Sequence, residues 1–333
     1  MSTDLAVIIV SWNVRPLLER CLASLRRARG VKFISPDARP APEPRAFQPG
    51  LYRALAIVVD NASSDGSAEL VRSSFPWVHL IASEENLGFT AANNLAIKGQ
   101  MESAHPPAFF LLLNPDTEVH PDALRLMVEF MYQHPEVGVL GPMLLNPDGS
   151  VQSSRRRFPT LCTALVESTI IQWRFWKDNP ILHRYYVLDC RDDETQEVDW
   201  VTGACFMVRR EAVEKAGLMD EGFFMYSEEL DWCRRIKAEG FKVVYFPEAK
   251  VTHYSAKSSE QVKTFQHIQF QRSKIRYFRK YHSSMAAWFL RLFLLFNYLL
   301  LFLEEAVKWG FSRRPVNHQR MQSYWQVLMS GLR

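Results

Sequence analysis

The sequence predicts a doubly wound α/β fold, with a mostly parallel sheet and crossover helices, followed by a C-terminal helical appendage. Three observations carry that prediction. Short apolar, β-branched runs alternate with segments of helical period through the first 114 residues. Polar clusters sit where those runs end. A nineteen-residue apolar stretch, 285–303, stands near the C-terminus.

The elements follow in order. "LAVIIV" (5–10) fits a strand buried on both faces, and its lack of a basic leader makes it a strand and not a secretory signal. "RPLLERCLASLRRA" (15–28) places its apolar residues at helical spacing. "ALAIVVD" (54–60), "VHLIAS" (78–83) and "AFFLLLN" (108–114) read as further strands, and "SAELVRSSF" (67–75) and "GFTAANNLAIKGQ" (88–100) as the helices between them. Ligands of such sheets bind outside the carboxyl ends of the strands. The polar clusters at those ends are Ser11, Trp12 and Asn13; Asp60 and Asn61; Asn86; and Asn114 with Asp116.

The segment 31–50 carries five of the eighteen prolines and reads as a mobile surface insertion between the first helix and the second strand. The net charge of +4 is too small to argue for nucleic acid, but it is compatible with polyphosphate ligands or anionic lipid. Five cysteines without C-x-x-C or zinc-finger spacing point to reduced thiols in a cytosolic compartment.

Asp60, at a strand tip in "VVDNASSDGS" (58–67), can accept a hydrogen bond from a base imide N–H; the same run also serves as a tight loop that caps the next helix. Trp12 can stack on a base or cover the sheet edge. "MYSEELDWCRRIKAEG" (225–240) begins an amphipathic helix with three carboxylates in four residues, which either complement the helix dipole or include a general base. Three arginines in "SRRRF" (154–158), read as a loop, are either a solvated charge run or a bidentate grip on diphosphate.

The ordered set "VIIVSWN", "VVDNASSDGS", "NLGFTAANN", "LLLNPDTE", "DWVTGACFMVRRE" and "FFMYSEELDWCRR" resembles glycosyltransferase family 2, the inverting enzymes of GT-A fold, over roughly residues 5–282. "SSRRRFPT" (153–160) and "RYFRKYH" (276–282) resemble its rhamnosyltransferase-like branch. The resemblance implies a dTDP- or UDP-sugar donor, a lipid-linked or polysaccharide acceptor, and Mg²⁺ or Mn²⁺. Its Asp-x-Asp metal motif falls on Asn114, Pro115 and Asp116, where only Asp116 keeps a charge. His253 occupies the position of a histidine near metal and diphosphate. The Glu-Asp-x-Asp pattern becomes Glu228-Glu229-x-Asp231, so Glu229 takes the place of the base, with Asp231 as the alternative. The implied donor-binding set is Ser11, Trp12, Asn13, Asp60, Asn86, Gly88, Phe89, Asn94, Asn114, Asp116 and Gly203, joined by Arg156 and Arg157 from the arginine run; the choice among Arg155, Arg156 and Arg157 stays open.

On a helical wheel of the 285–303 stretch and its continuation, Arg291, Asn297, Glu304, Glu305 and Lys308 share one arc opposite an apolar half. That pattern favours a helix lying in the membrane interface, with its polar arc and flanking Lys274, Arg276, Arg279, Lys280, Arg313 and Arg314 toward headgroups. A true span, or burial within the protein or a homodimer, are the alternatives. The expected division is therefore a catalytic domain over 1–255 and a helical region over 256–333, acting peripherally on the cytoplasmic membrane face. Two other functional classes compete. One is a non-catalytic nucleotide-sugar-binding scaffold. The other is a nucleotidyltransferase, which would want a Gly- and Lys-rich phosphate loop that "SWNVRPLLE" does not supply. Another hexosyltransferase of the same fold is the nearer alternative.

Overall fold

A computed structural model describes residues 3–35, 50–254 and 263–333. In chain order these form β1 (Leu5–Ser11), α1 (Arg15–Arg26), β2 (Val31–Phe33), β3 (Tyr52–Asn61), α2 (Ser67–Ser74), β4 (Val78–Ser83), α3 (Gly88–Met101) and β5 (Phe109–Leu113). Then come β6 (Thr117–Val119), α4 (Ala123–Gln133), β7 (Val137–Leu145), β8 (Val151–Gln152) and β9 (Arg155–Arg156). They are followed by α5 (Leu161–Val166), a π-helical turn (Ile171–Phe175) and α6 (Pro180–Tyr185). Next are β10 (Gln196–Val198), β11 (Trp200–Val201), β12 (Cys205–Arg209), α7 (Arg210–Ala216), α8 (Glu228–Ala238) and β13 (Lys242–His253). The last helices are α9 (Lys263–Tyr281), α10 (Ser284–Ser312) and α11 (Pro315–Ser330).

The sheet is mixed and mostly parallel. β3 pairs in parallel with β1, β2 and β4, and β1 with β5. β12 runs antiparallel between β5 and β7, and β13 lies parallel to β7. β1 and β5 are buried on both faces, which is why their sequences run apolar without alternation. Leu18, Cys21, Leu22 and Leu25 of α1 and Leu124, Met127, Val128 and Met131 of α4 close one core with β1, β3 and β5.

Two expectations change here. The proposed insertion begins later than residue 31, because Val31–Phe33 form β2 on the β3 edge; residues 36–49 lie outside the described residues. Arg155 and Arg156 are not in a loop but in β9, paired with β11.

The chain divides into two compact units. One holds the described residues of Met1–Arg156, Cys190–Phe224 and Glu228–Ser258; the other holds those of Arg157–Asp189, Met225–Ser227 and Ser259–Arg333. The boundary is thus not the single one expected at 255/256, since residues 157–189 join the C-terminal helices.

In the second unit α10 packs against α5, α9 and α11. Its polar arc, expected to face headgroups, is bonded within the unit. Asn297 Oδ1 accepts from the Ile170 N–H at 2.8 Å, and Arg291 Nε donates to the Gly331 carbonyl at 2.7 Å. Glu304 pairs with Arg174, and Glu305 with Lys308 at 2.8 Å. Lys274 is buried and paired with Glu167 at 3.0 Å, so it does not serve as a headgroup contact. The outward face of α10 is an apolar stripe at helical spacing: Met285, Trp288, Phe289, Leu292, Phe296, Leu299, Leu303, Val307 and Phe311.

Candidate functional site

The first group of expected residues meets at the ends of β1 and β3. Ser11 and Asp60 are register partners, both buried. Asp60 Oδ2 accepts from the Ser63 N–H at 3.1 Å, while its Oδ1 and the Ser11 hydroxyl are enclosed without a hydrogen-bonding partner among the described residues. Buried polar atoms carry a cost unless paired, so these two are placed for a ligand's donor and acceptor. Asn13, at φ 52°, ties the first loop to the β3 loop: its Oδ1 accepts from the Ser64 N–H at 2.8 Å, and its N–H donates to Ser63 Oγ at 3.0 Å. Trp12 is half-buried beside them.

Asn86, Gly88 and Asn94 shape this region through internal bonds. Asn86 Oδ1 accepts from Asn61 Nδ2 at 2.8 Å and from the Gly88 N–H at 2.9 Å. Gly88 sits at φ +82°, and a Cβ there would come within 2.7 Å of the Phe224 ring. Only glycine allows that turn and that approach. Asn94 spends its amide on the 219–221 loop, donating to the Met219 carbonyl at 2.9 Å and to Glu221 at 3.0 Å and accepting from the Met219 N–H at 3.1 Å. The Asn94 amide thus braces that loop.

The second group is the pair Asp116 and His253. β6 and β13 run antiparallel with His253 opposite Thr117, which brings His253 Nε2 to 3.3 Å from Asp116 Oδ1. The Tyr254 N–H donates to the Asp116 carbonyl at 2.9 Å and fixes the turn. Next to it, Glu118 is neutralised by Arg20 at 2.6 Å, and the same guanidinium donates to Tyr254 Oη at 2.6 Å. Asp116 and His253 therefore form the mixed carboxylate–imidazole set that a divalent cation accepts. Among the described residues no group of three or more His, Cys, Asp or Glu side chains converges on one point. A cation here needs oxygen ligands from elsewhere, as diphosphate and water supply.

The third group lies at the start of α8. Glu228 is buried, Glu229 half-buried, and each has its Oε2 enclosed without a partner among the described residues. Burial pushes the Glu229 carboxyl up, against the pull of the Glu229, Gly203 and Leu230 backbone N–H groups and the Arg156 charge. Burial, then the Glu229 charge, pushes Glu228 well above the usual carboxylate range. A Cβ at Gly203 would lie 3.8 Å from Glu229 Oε1 and 3.9 Å from the Phe89 ring, so Gly203, Phe89 and Glu229 share one wall. Asp231, the alternative base, is fully buried and bonded to Arg235 Nε at 2.9 Å. Arg235 in turn donates to the carbonyls of Ala216 and Leu218, the latter at 2.9 Å.

The arginines separate. Arg155 is buried, bonded to the Cys190 carbonyl at 2.9 Å and to Asp192 at 2.8 Å. Arg157, in the second unit, makes a bidentate pair with Asp189 at 2.8 and 2.9 Å, which occupies the face expected to hold diphosphate. Arg156 bonds locally to Ser153 Oγ at 2.8 Å and the Arg155 carbonyl at 2.9 Å, and its charge reaches Glu229. Gln152 was not singled out in the sequence; its Oε1 accepts from His253 Nδ1 at 2.7 Å. A lone glutamine in a turn-strand segment gives no signal, since its partner lies 101 residues away.

The pattern of the family described as Glycosyl transferase family 2 matches residues 6–217. An N-acetylglucosaminyl-diphospho-decaprenol L-rhamnosyltransferase of Mycobacterium tuberculosis is 31% identical over 265 residues, 78% of each chain. Among solved structures, GalNAc-T7 with UDP, GalNAc and Mn²⁺ superposes with a TM-score of 0.54 at 15% identity, covering 84% of this chain. The match spans about half of that protein (48%). The mannosyltransferase PcManGT of Pyrobaculum calidifontis, in complex with GDP-Man and Mn²⁺, superposes with a TM-score of 0.52 at 15% identity over 99% of this chain and 86% of its own. Both likenesses show the GT-A fold.

Proposed function

The chain belongs to glycosyl transferase family 2, in its rhamnosyltransferase-like branch, and from that premise we propose that this glycosyltransferase moves rhamnose from a nucleotide-diphosphate donor to a hydroxyl of a lipid-linked or polysaccharide acceptor. The observation that carries the reading is one of placement. Within the first unit, the unpartnered Ser11 hydroxyl and Asp60 Oδ1 stand at the ends of β1 and β3, the Asp116–His253 pair joins the turn before β6 to the end of β13, and the Glu229 carboxylate stands in the first turn of α8. The name of the Mycobacterium tuberculosis relative supports rhamnose as the sugar and a diphosphate-linked lipid as the acceptor.

In this reading Asp60 and Ser11 meet the edge of a uracil or thymine base, and Trp12 covers it. Asn114 hydrogen-bonds the ribose. Asp116 and His253 would hold Mg²⁺ or Mn²⁺. The cation, when bound, neutralises charge that develops on the leaving diphosphate. Arg156 adds a second positive charge on that side. Glu229 takes the proton of the acceptor hydroxyl as its oxygen attacks the anomeric carbon. The new C–O bond forms as the bond to the diphosphate oxygen breaks, its electron pair leaving with the nucleoside diphosphate. A single displacement inverts the anomeric centre. A raised carboxyl pKa makes Glu229 a better base than an ordinary surface glutamate. Asp231 acts as a positioning residue through Arg235.

The second unit supports work at a membrane. α10 is long and apolar enough to cross a bilayer by length and composition. Its polar residues, however, are satisfied inside the unit, and its outward stripe runs about 39 Å along one side. Such a helix lies along an apolar boundary better than through it. Arg276, Arg279, Lys280, Arg313 and Arg314 are exposed, and in this reading they meet an anionic headgroup layer on the cytoplasmic side while the stripe meets the apolar layer beneath. The functional reading is tested by a screen of dTDP-, UDP- and GDP-sugars for nucleotide release, with Mg²⁺, Mn²⁺ or chelator. Release from dTDP-rhamnose with metal supports it; release from none of the donors overturns it.

A further inference from the structure

We infer that the π-helical turn Ile171–Phe175, with Trp176 after it, is an aromatic anchor for an anionic membrane surface, set beside the α10 stripe within the second unit. The inference rests on the reading of that stripe as a lipid contact. It concerns a different element and residues, Trp173, Phe175 and Trp176, to which that reading gave no role.

The turn shows its aromatic side chains and buries none of them. Trp173 is 44% exposed, Phe175 78% and Trp176 43%, and the turn has no buried member. Three large aromatic side chains on the outside within four residues are not explained by a core. Their backbone is firmly held. The Trp173 N–H donates to the Thr169 carbonyl at 3.2 Å, and the Trp176 N–H to the Ile171 carbonyl at 2.8 Å. The Trp176 carbonyl accepts from Asn179 Nδ2 at 2.8 Å, and Gln172 Oε1 accepts from the Ser168 N–H at 2.8 Å. A surface element whose own hydrogen bonds are made loses little freedom when it docks.

Two contacts fix its place beside α10. The Ile170 N–H donates to Asn297 Oδ1, and Arg174 pairs with Glu304. Asn297 and Glu304 are about two turns apart along α10, so the segment runs beside that stretch. Both lie about a third of a turn round the helix from the line of Leu292, Phe296, Leu299 and Leu303. The π-helical turn therefore flanks the stripe and does not sit behind it. On the other flank, Trp325 of α11 packs on Phe302 with ring centroids 5.6 Å apart and stays half exposed. A single stripe leaves a helix free to roll on a lipid surface, and a contact on its flank fixes the roll.

Charge and side-chain chemistry select the occupant. The segments of the second unit carry sixteen Lys and Arg against six Asp and Glu, a net charge of +10, while the whole chain carries +4. Exposed Lys177 directly follows the aromatic run. An excess of this size matches an anionic headgroup layer, whereas a second copy of the chain would bring the same positive charge against it. Tryptophan joins an apolar ring to a polar N–H and settles at the level of the headgroups. Phe175, the most exposed of the three, has no polar atom and reaches the acyl layer below.

The test is flotation of the full chain with vesicles of phosphatidylcholine, alone or with phosphatidylglycerol. Wild type is compared with the triple variant Trp173→Gln, Phe175→Gln and Trp176→Gln, and with the α10 variant in which Trp288, Leu292, Phe296 and Leu299 become glutamine. Wild type should float with the anionic vesicles, and the triple variant should bind them about tenfold or more weakly at an unchanged melting temperature. Direct contact is read from an environment-sensitive fluorophore on Phe175→Cys, in a chain that also carries Cys162→Ser and Cys190→Ser; nitroxide-labelled lipid should quench it. That probe decides the matter even where the triple variant fails to fold. Wild-type binding by the triple variant, or a probe left unquenched on vesicle-bound protein, overturns the anchor. If the α10 variant floats like wild type while the triple variant does not, the stripe reading fails and the anchor stands. Wild type that binds neither kind of vesicle overturns both.

Discussion

Asp231 Oδ2 lies 2.9 Å from Arg235 Nε, one turn along α8, while Glu229, two residues before Asp231, leaves an oxygen without a partner among the described residues. Adjacent acids on one helix thus have opposite circumstances. Asp231 is spent on an ion pair that anchors the loop at Ala216 and Leu218. Glu229→Gln should keep fold and donor binding while lowering turnover by a factor of about 10² to 10⁴. Asp231→Ala should instead lower stability by about 3 kcal/mol, the lower end for a broken buried pair, because the Arg235 side chain is 23% exposed. Denaturant midpoints and kcat for both variants separate the two roles. A dead, stable Asp231→Asn beside an active Glu229→Gln would reverse them.

The same acids make stability depend on pH. Burial raises Glu228 in the folded state, so the folded protein holds a proton there that the unfolded chain releases at about pH 4.3. Stability tied to this group is present below the unfolded value and is lost as pH rises toward the folded one. Glu228→Gln removes that loss. It should raise the melting temperature at neutral and alkaline pH and have no such effect at pH values below the unfolded value. An equal shift at all pH values would contradict the account.

Activity should carry the matching signature. The proposed base, Glu229, can take a proton only when ionised, and burial raises its carboxyl. The acid limb of kcat/KM should therefore fall above the usual carboxylate range. A limb at ordinary carboxylate values would deny that burial tunes this group.

Asp116→Ala should abolish turnover and weaken donor binding, and His253→Ala should weaken metal-dependent nucleotide binding. Calorimetry with dTDP, with and without Mn²⁺, measures both. Full activity in chelator would remove the metal from the mechanism.

For α10, replacing exposed Trp288, Leu292, Phe296 and Leu299 with glutamine should abolish flotation with anionic vesicles and leave the fold intact, because these side chains leave no cavity. Vesicle binding that persists, or a dimer that dissociates in its place, would assign the stripe to something other than lipid. Truncation before Met285 is a poorer test, since it would strip Asn297 from the Ile170 N–H and Arg291 from Gly331.

Much of this was legible in the sequence, for physical reasons. Doubly buried strands write continuous apolar runs, so β1, β3 and β5 fell where "LAVIIV", "ALAIVVD" and "AFFLLLN" stand, and the half-buried β4 fell at "VHLIAS". Loops at strand ends write polar clusters, which led to Ser11, Asp60 and Asp116. β2 was missed because three residues carry no period and the prolines after it dominate the composition. The apolar length of 285–303 was visible, but not the direction of its polar arc. A wheel shows that Asn297 and Arg291 share a side, and only their partners Ile170 and Gly331 show that the side is internal. Arg157 and Asn94 have partners, Asp189 and Met219, that are distant in sequence and that no local pattern reveals.

The central proposal is sugar transfer with Glu229 as the base. It is tested by following the reaction of dTDP-rhamnose with a lipid-linked N-acetylglucosaminyl diphosphate by NMR, for wild type and Glu229→Gln at saturating donor. The prediction is a product of anomeric configuration opposite to the donor's, formed by wild type and slowed by a factor of about 10² or more in the variant. A product of retained configuration, or an unimpaired variant, would contradict it.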